Sequence, residues 1–133
     1  MQNIQTASIE SEVKEIFKSK NAEKLVAFAA NAGKQLVNNK VTTSQVRNIL
    51  DSIQALKQYD PNKLQLLRPL LAYSEGKKQN LGLFRQIIEA GIKSVHSEDD
   101  FKFFRHFVEA IVAYHTLEEA EKREQEQRER RNR

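Results

Sequence analysis

The sequence of 133 residues contains no cysteine. This absence excludes a disulfide framework, a thiolate zinc site and a cysteine nucleophile. Disulfides are rare inside the cell, so a chain without cysteine is compatible with the cytoplasm, and we expect a cytoplasmic protein.

Long apolar runs are also missing. The N-terminal segment Met1–Ser8 is polar and predicts no signal peptide. No apolar run approaches the ~20 residues that a helix needs to cross a bilayer. We therefore expect no association with a membrane.

Motifs that carry catalysis or bind metals are absent from the sequence. It has no HExxH, no Walker loop and no GxGxxG, and its three histidines are not spaced i,i+4. His106 and Glu109 could share a helix face, but a half-exposed histidine beside a helix is the simpler interpretation. The acidic run Glu98–Asp100 lies at a predicted helix start, where the helix dipole favours it. We predict no catalytic residue, no metal, no cofactor and no enzymatic activity.

Glycine and proline are scarce, with four and two residues, and no stretch alternates apolar and polar residues between turns. The sequence predicts an all-α fold, a compact bundle of five to six helices with a long C-terminal helix. Helix starts are predicted at Ser8, Asn21, the capping box Thr42–Gln45, Asp60–Pro61, Asn80 and the weaker box Ser97–Asp100. The second helix should end at Asn38–Asn39, and Pro69 should break a helix at Leu67 and begin another.

The last predicted helix changes character along its length. From Phe101 to Tyr114 it is apolar nearly all round, which is typical of the central helix of a bundle. After Leu117 the residues are charged, and several Glu precede Lys or Arg by four positions, a favourable order on a helix. We predict a helical domain over residues 1–117 and a solvated helical or frayed tail over residues 118–133.

Positive charge is concentrated in the middle of the chain. The net charge of +4 comes from residues 34–93, which carry ten basic and four acidic residues, whereas the segments on either side are neutral or acidic. A basic region on a neutral frame is typical of proteins that bind polyanions. A solvated helical surface rich in lysine would give the same count, and charge alone does not separate these two interpretations.

Three motifs together resemble a known family. They are SQVRNIL at 44–50, LQLLRPLLAY at 64–73 and FRHFVEAIVAYH at 104–115. In this order and spacing they are similar to the small subunit of the type III-A CRISPR effector, the Csm complex. The resemblance extends from Val41 to His115. At two positions the chain departs from the family, since Leu70 and Thr116 stand where basic residues are common.

The resemblance implies a helical subunit without an active site. It further implies that several copies stack head to tail along the duplex of guide RNA and target RNA, together with the other subunits of the Csm complex. In such a complex the target RNA is cut by the backbone subunits. We expect the isolated protein to be a monomer or a weak dimer, since stacked subunits make modest contacts.

Contacts with the RNA backbone require exposed Lys and Arg side chains rather than base recognition. The predicted RNA-binding residues are Arg47, Arg68, Lys77, Lys78 and Arg85. Four of the five have a structural alternative. Arg47 could pair with Asp51 and Arg85 with Glu89, and the two lysines could compensate a helix C-terminus. Tyr59 and Tyr73 could stack on bases, but in a Leu-rich segment they are expected in the core.

Three hypotheses therefore remain at this point. The first is an RNA-binding small subunit. The second is a helical adaptor that binds no nucleic acid and uses its apolar last helix as an interaction surface. The third is an enzyme whose site the sequence does not reveal.

Overall fold

A computed structural model describes residues 6–132, and within them the fold is all-α, with seven α-helices, one short 3₁₀ turn and no strand. Only Leu66 separates the fourth helix from the fifth, so the two count equally well as one bent helix. The helices are α1 Thr6–Ser19, α2 Ala22–Asn38, α3 Thr43–Gln54, α4 Pro61–Gln65, α5 Leu67–Lys77, α6 Gly82–Lys93 and α7 Glu98–Arg131, with the 3₁₀ turn at Gln79–Leu81. The predicted fold class, including the long last helix, is confirmed.

Most helix starts follow from local capping. The side chain of Asn21 accepts from the backbone N–H of Lys24 at 3.2 Å. Thr42 and Gln45 form the complete capping box, with both hydrogen bonds present at 2.9 and 3.1 Å. Asp60 likewise caps α4, with Pro61 as its first residue. These starts were predicted correctly because each depends on residues within one turn.

Three predicted boundaries were wrong. Ser8 lies inside α1, which already begins at Thr6. Helix α5 begins at Leu67, and Pro69 fits in its first turn, where no N–H is needed for the helix. Asn80 lies in the 3₁₀ turn before α6 and does not cap it. Its side chain instead donates to the carbonyl of Lys40 at 3.0 Å.

Helix α7 is the centre of the bundle. Helices α2 and α3 pack along it, while α6 packs between α1 and α5. The side chains of Phe104, Phe107 and Ile111 are fully buried. The rings of Phe17 and Phe28 lie 5.2 and 5.6 Å from the ring of Phe107, so a cluster of aromatic side chains joins α1 and α2 to α7.

Helices α2 and α7 approach each other closely at Gly33 of α2. A Cβ atom there would lie 2.7 Å from the backbone nitrogen of His115 and 2.8 Å from the backbone carbonyl carbon of Tyr114. Only a residue without a side chain permits this approach. The α2 and α7 backbones are therefore in contact where the third sequence motif ends.

Two distant side chains hold the turn between α2 and α3. Asn80 donates to the carbonyl of Lys40, as described above, and the buried Nε2 of His115 donates to the carbonyl of Val41 at 2.6 Å. Lys40 has a φ of 65°, the left-handed conformation that commonly ends a helix. The start of α3 is consequently fixed by contacts to the 3₁₀ turn and to α7.

The charged end of the chain is helical in the described part. Helix α7 runs through Leu117 without a break to Arg131, and Glu124 pairs with Arg128 at 2.6 Å. The division into a bundle and a tail stays a prediction, and residues 1–5 and 133 lie outside the described residues. Among residues 6–132 no helix is both long enough and apolar enough to cross a membrane.

The contact at Gly33 gives a direct test of the packing. Gly33→Ala should destabilise the protein by about 1–3 kcal/mol, since overpacking forces the backbones of α2 and α7 apart. Gly76→Ala is the matched control, because a Cβ there meets nothing within 4 Å. It should be neutral or stabilise α5 by up to about 1 kcal/mol. Urea denaturation measures both changes, and equal midpoints for the two variants would contradict the close approach.

Candidate nucleic-acid interface

The five predicted RNA-binding residues do not form one cluster. Arg47 lies on α3, Arg68 and Lys77 on α5, and Arg85 on α6. Lys78 follows the last residue of α5. The structure brings only Arg68 and Arg85 into one group of contacts, through a shared carboxylate.

Arg47 is exposed, and its side chain has no polar partner among residues 6–132. The alternative pair with Asp51 is not formed in the described structure. Gln54 lies two turns after Arg47 on the same helix face, and it contacts Glu109 of α7 at 3.4 Å. Ile49 lies on another face, which packs towards Leu71 of α5. Arg47 therefore lies on the α7 side of α3, away from α5.

Arg68 and Arg85 share Glu89. The Nε of Arg68 donates to Glu89 at 2.8 Å, and Arg85 donates to both Glu89 and Glu75. The pair of Arg85 and Glu89, spaced i,i+4, is thus the structural alternative that the sequence suggested. Two arginines and two carboxylates form a neutral network that joins α5 to α6.

The network changes the ionisation of its members. Burial disfavours the charged form of Glu89, but hydrogen bonds from Arg68 and Arg85 outweigh burial and lower the pKa of this carboxyl. The hydrogen bond with Glu75 raises the pKa of Arg85 against the opposing effect of burial, with Glu89 adding to the increase. Both shifts favour the charged forms of Glu89 and Arg85.

The two lysines at the end of α5 differ in their surroundings. The Nζ of Lys77 lies 5.0 Å from the ring centroid of Tyr73, which is a cation–π contact. The side chain of Lys78 is exposed and has no polar partner within residues 6–132. Both lysines are at the C-terminal end of a helix, where positive charge also compensates the helix dipole.

The two tyrosines also differ. Tyr59 is half-buried, and its ring centroid lies 6.1 Å from that of Phe101, in agreement with the expected core position. Tyr73 is 56% exposed, so the expectation that it belongs to the core was wrong. Tyr73 ends a Leu-rich motif, and a motif of this composition does not indicate that its last residue lies on the outer side of α5.

Helix α7 adds side chains that the sequence did not indicate as candidates for RNA contacts. Lys102 and His106 are exposed, and the guanidinium of Arg105 lies 6.0 Å from the ring centroid of Phe101. These residues lie in the segment 94–117, which has more acidic than basic residues, so a count of charge by segment did not reveal them. Their helical spacing from Glu109, which contacts Gln54, is the signal that places them on the side of α3.

Potential metal ligands are not clustered at this surface in the part of the chain that the structure describes. Within residues 6–132 no three His, Cys, Asp or Glu side chains lie close enough to hold a metal ion. His106 and Glu109 do share a helix face, with 3.9 Å between Nδ1 and the carboxylate; His106 is exposed and Glu109 is half-buried. The surface can bind anions through its arginines and lysines.

The network of Arg68, Arg85, Glu75 and Glu89 predicts a pH-dependent contribution to stability. The pKa of Glu89 lies below its ordinary value of 4.5, so its stabilisation is complete above that pH and is lost as the pH falls through the lowered value. Glu89→Gln should therefore cost about 1–2 kcal/mol at pH 7 and progressively less in acid. Glu121→Gln, an exposed change in the tail, is the control. A cost of Glu89→Gln that stays constant in denaturant titrations from pH 7 to pH 3 would contradict this role.

Among known proteins, one curated protein is similar to part of this chain. A segment of 64 residues, 48% of this chain, is 33% identical to Vitamin D(3) 25-hydroxylase of Sus scrofa. The chain spans only 13% of that protein, so the likeness carries no argument about activity. No solved structure matches the chain significantly.

The family comparison covers far more of the chain. The sequence model of the family described as Csm2 Type III-A matches residues 19–121. This range includes all three motifs of the sequence analysis and ends within α7, so the resemblance noted there is confirmed. The match covers well over half of the chain, which therefore belongs to the Csm2 Type III-A family, whose members are subunits of the type III-A CRISPR complex.

Proposed function

We propose that this protein is the non-catalytic RNA-binding small subunit of a type III-A CRISPR complex. Several copies bind the backbone of the guide RNA–target RNA duplex and stabilise the complex during antiviral defence in the cytoplasm. Cleavage belongs to other subunits. Membership of the Csm2 family supports the assignment to the complex, and the distribution of charge supports the binding of RNA.

The observation that carries the proposal is the presence of exposed basic side chains on helices whose segment has a net charge of +6. Arg47 and Lys78 are exposed cations without a polar partner among residues 6–132. A cation without a carboxylate beside it can neutralise a phosphate at little cost, and it gains from the release of counterions. These two residues are the strongest candidates for RNA contacts.

Arg68 and Arg85 act differently in this proposal. Glu89 holds both guanidinium groups in fixed positions, and the side chain of Arg68 is still 39% exposed. A guanidinium that already binds a carboxylate retains N–H groups for a phosphate. We assign these arginines, with Lys77, to secondary contacts whose orientation depends on the network.

The test is a titration of RNA binding against salt concentration. Arg47→Gln with Lys78→Gln should remove two phosphate contacts and flatten the slope of log affinity against log salt by about 1.4–1.8. The loss should be similar for unrelated RNA sequences, because backbone contacts do not identify bases. Thermal stability should hardly change, since neither side chain has a partner in the described structure.

The control is a variant with the same change in net charge on another part of the surface. Lys18→Gln with Lys24→Gln removes two exposed lysines from α1 and α2 and should leave the slope nearly unchanged. The proposed site is wrong if both double variants flatten the slope equally. If wild-type protein binds no RNA at low salt, either alone or in the assembled complex, the adaptor hypothesis is correct instead.

A further inference from the structure

A basic cleft lies where α1 meets α6 and the start of α7. It is open to solvent and has a volume of about 490 Å³. The charged and titratable side chains around it are Glu10, Lys14, Lys18, Lys20, Lys93, His96 and Asp100. We call this cleft the α1–α6 cleft.

Both carboxylates of the α1–α6 cleft have cationic partners. The Nζ of Lys20 lies 2.6 Å from the carboxylate of Asp100, and the Nζ of Lys93 lies 3.0 Å from that of Glu10. Asp100 also accepts from the backbone N–H of His96 at 3.0 Å. The negative charge in the cleft is therefore balanced by two of its four lysines.

The other two lysines have no such partner. Lys14 and Lys18 are exposed, and neither has a polar partner among residues 6–132. They are spaced i,i+4 on α1, so they share one helix face and both line the cleft. Two like charges at this spacing repel each other. An anion between them would remove the repulsion.

The inner wall of the α1–α6 cleft is apolar. Phe17 and Ala90 line it, and they are only 3% and 4% exposed. Small-molecule sites commonly combine an apolar wall with a few charged groups, in volumes of roughly 300–1,000 Å³. The wall offers contact to the organic part of a ligand, which inorganic phosphate lacks.

We propose that the α1–α6 cleft binds a small organic phosphate of the nucleoside diphosphate type. Four lysines and two carboxylates leave a surplus of two positive charges, and a phosphate group carries a negative charge of about 1.5–2 at neutral pH. The phosphate would lie between Lys14 and Lys18, with the organic part against Phe17 and Ala90. The site contains none of the predicted RNA-binding residues, and the proposal does not rest on the proposed function.

Charge favours a small ligand over an RNA strand at this cleft. An RNA backbone needs cations along its whole path, because each phosphate carries a charge. Here the two unpaired lysines are followed by no further unpaired cation on α1, and the same helix exposes Glu12 and Glu15. An extended polyanion along α1 would meet these carboxylates, whereas a small phosphate would meet only the lysines.

A titration of the isotope-labelled full chain with ADP tests the site by NMR. Amides around Lys14 and Lys18 and around Ala90 should shift and saturate. Lys14→Gln with Lys18→Gln should weaken ADP binding by roughly tenfold or more, since both contacts are made to a charged group. Inorganic phosphate should bind more weakly than ADP, because it does not cover the apolar wall.

The control is Lys24→Gln with Lys34→Gln, which removes two exposed lysines of α2 outside the cleft and should retain the affinity of the wild type for ADP. The proposal is overturned if ADP does not saturate the wild type, if both double variants lose affinity equally, or if inorganic phosphate binds as tightly as ADP.

A competition experiment separates this site from RNA binding. A guide–target RNA duplex added to the ADP-bound protein should leave ADP in place. Displacement of ADP by the duplex would assign the cleft to the RNA-binding surface and would overturn the proposal. ADP binding by a protein that binds no RNA would support the cleft while the RNA-binding proposal fails.

Discussion

The backbone contact between α2 and α7 is the constraint on which the rest of the structure depends. At Gly33 the two helices approach closely enough that even a methyl group would collide with α7. His115 lies on α7 directly opposite Gly33, and it is the one polar side chain that is fully buried among the described residues. Its Nδ1 has no partner within residues 6–132, a cost of about 1–3 kcal/mol that the surrounding apolar packing outweighs.

This contact determines where the basic residues lie. Because α2 is fixed against α7, the turn after α2 meets His115, and the hydrogen bond to Val41 sets the start of α3. The side chain of Asn80 donates to the carbonyl of Lys40, the residue before Val41, and thereby joins the same turn to the segment before α6. The position of Arg47 on α3 thus depends on a buried arrangement that includes none of the predicted RNA-binding residues.

The sequence predicted the parts of the fold that depend on neighbouring residues. The capping box at Thr42–Gln45, the cap at Ser97 and the apolar stripe of α7 were predicted because their signals lie within a few turns, although the Asp100 carboxylate accepts from the backbone N–H of His96 and so leaves the second box incomplete. Ion pairing was only half predictable. Arg85 and Glu89 pair as their spacing suggested, but Arg47 and Asp51 do not, and Arg68 reaches Glu89 across 21 positions of the chain. The choice between such partners depends on how α5 packs on α6, which no local pattern specifies.

The same limit applies to His115, Asn80 and Tyr73. Their residue types fit a core histidine, a helix cap and a buried ring, respectively. In the structure, the side chains of His115 and Asn80 instead hold the turn between α2 and α3 through hydrogen bonds, and Tyr73 lies on the surface. Side chains with both polar and apolar parts take whichever role the surrounding fold offers, so the three motifs identified the family while the RNA-binding residues stay a prediction.

The most direct test of this account is an NMR titration of the isotope-labelled protein with a short duplex of guide and target RNA. The account predicts that amide shifts change around Arg47 on α3 and around Lys77 and Lys78 at the end of α5, and that these changes fade as salt is added. Amides of α1 and α2 should not respond at one copy per duplex. Changes confined to α1 and α2, or shifts that do not depend on salt, would contradict it.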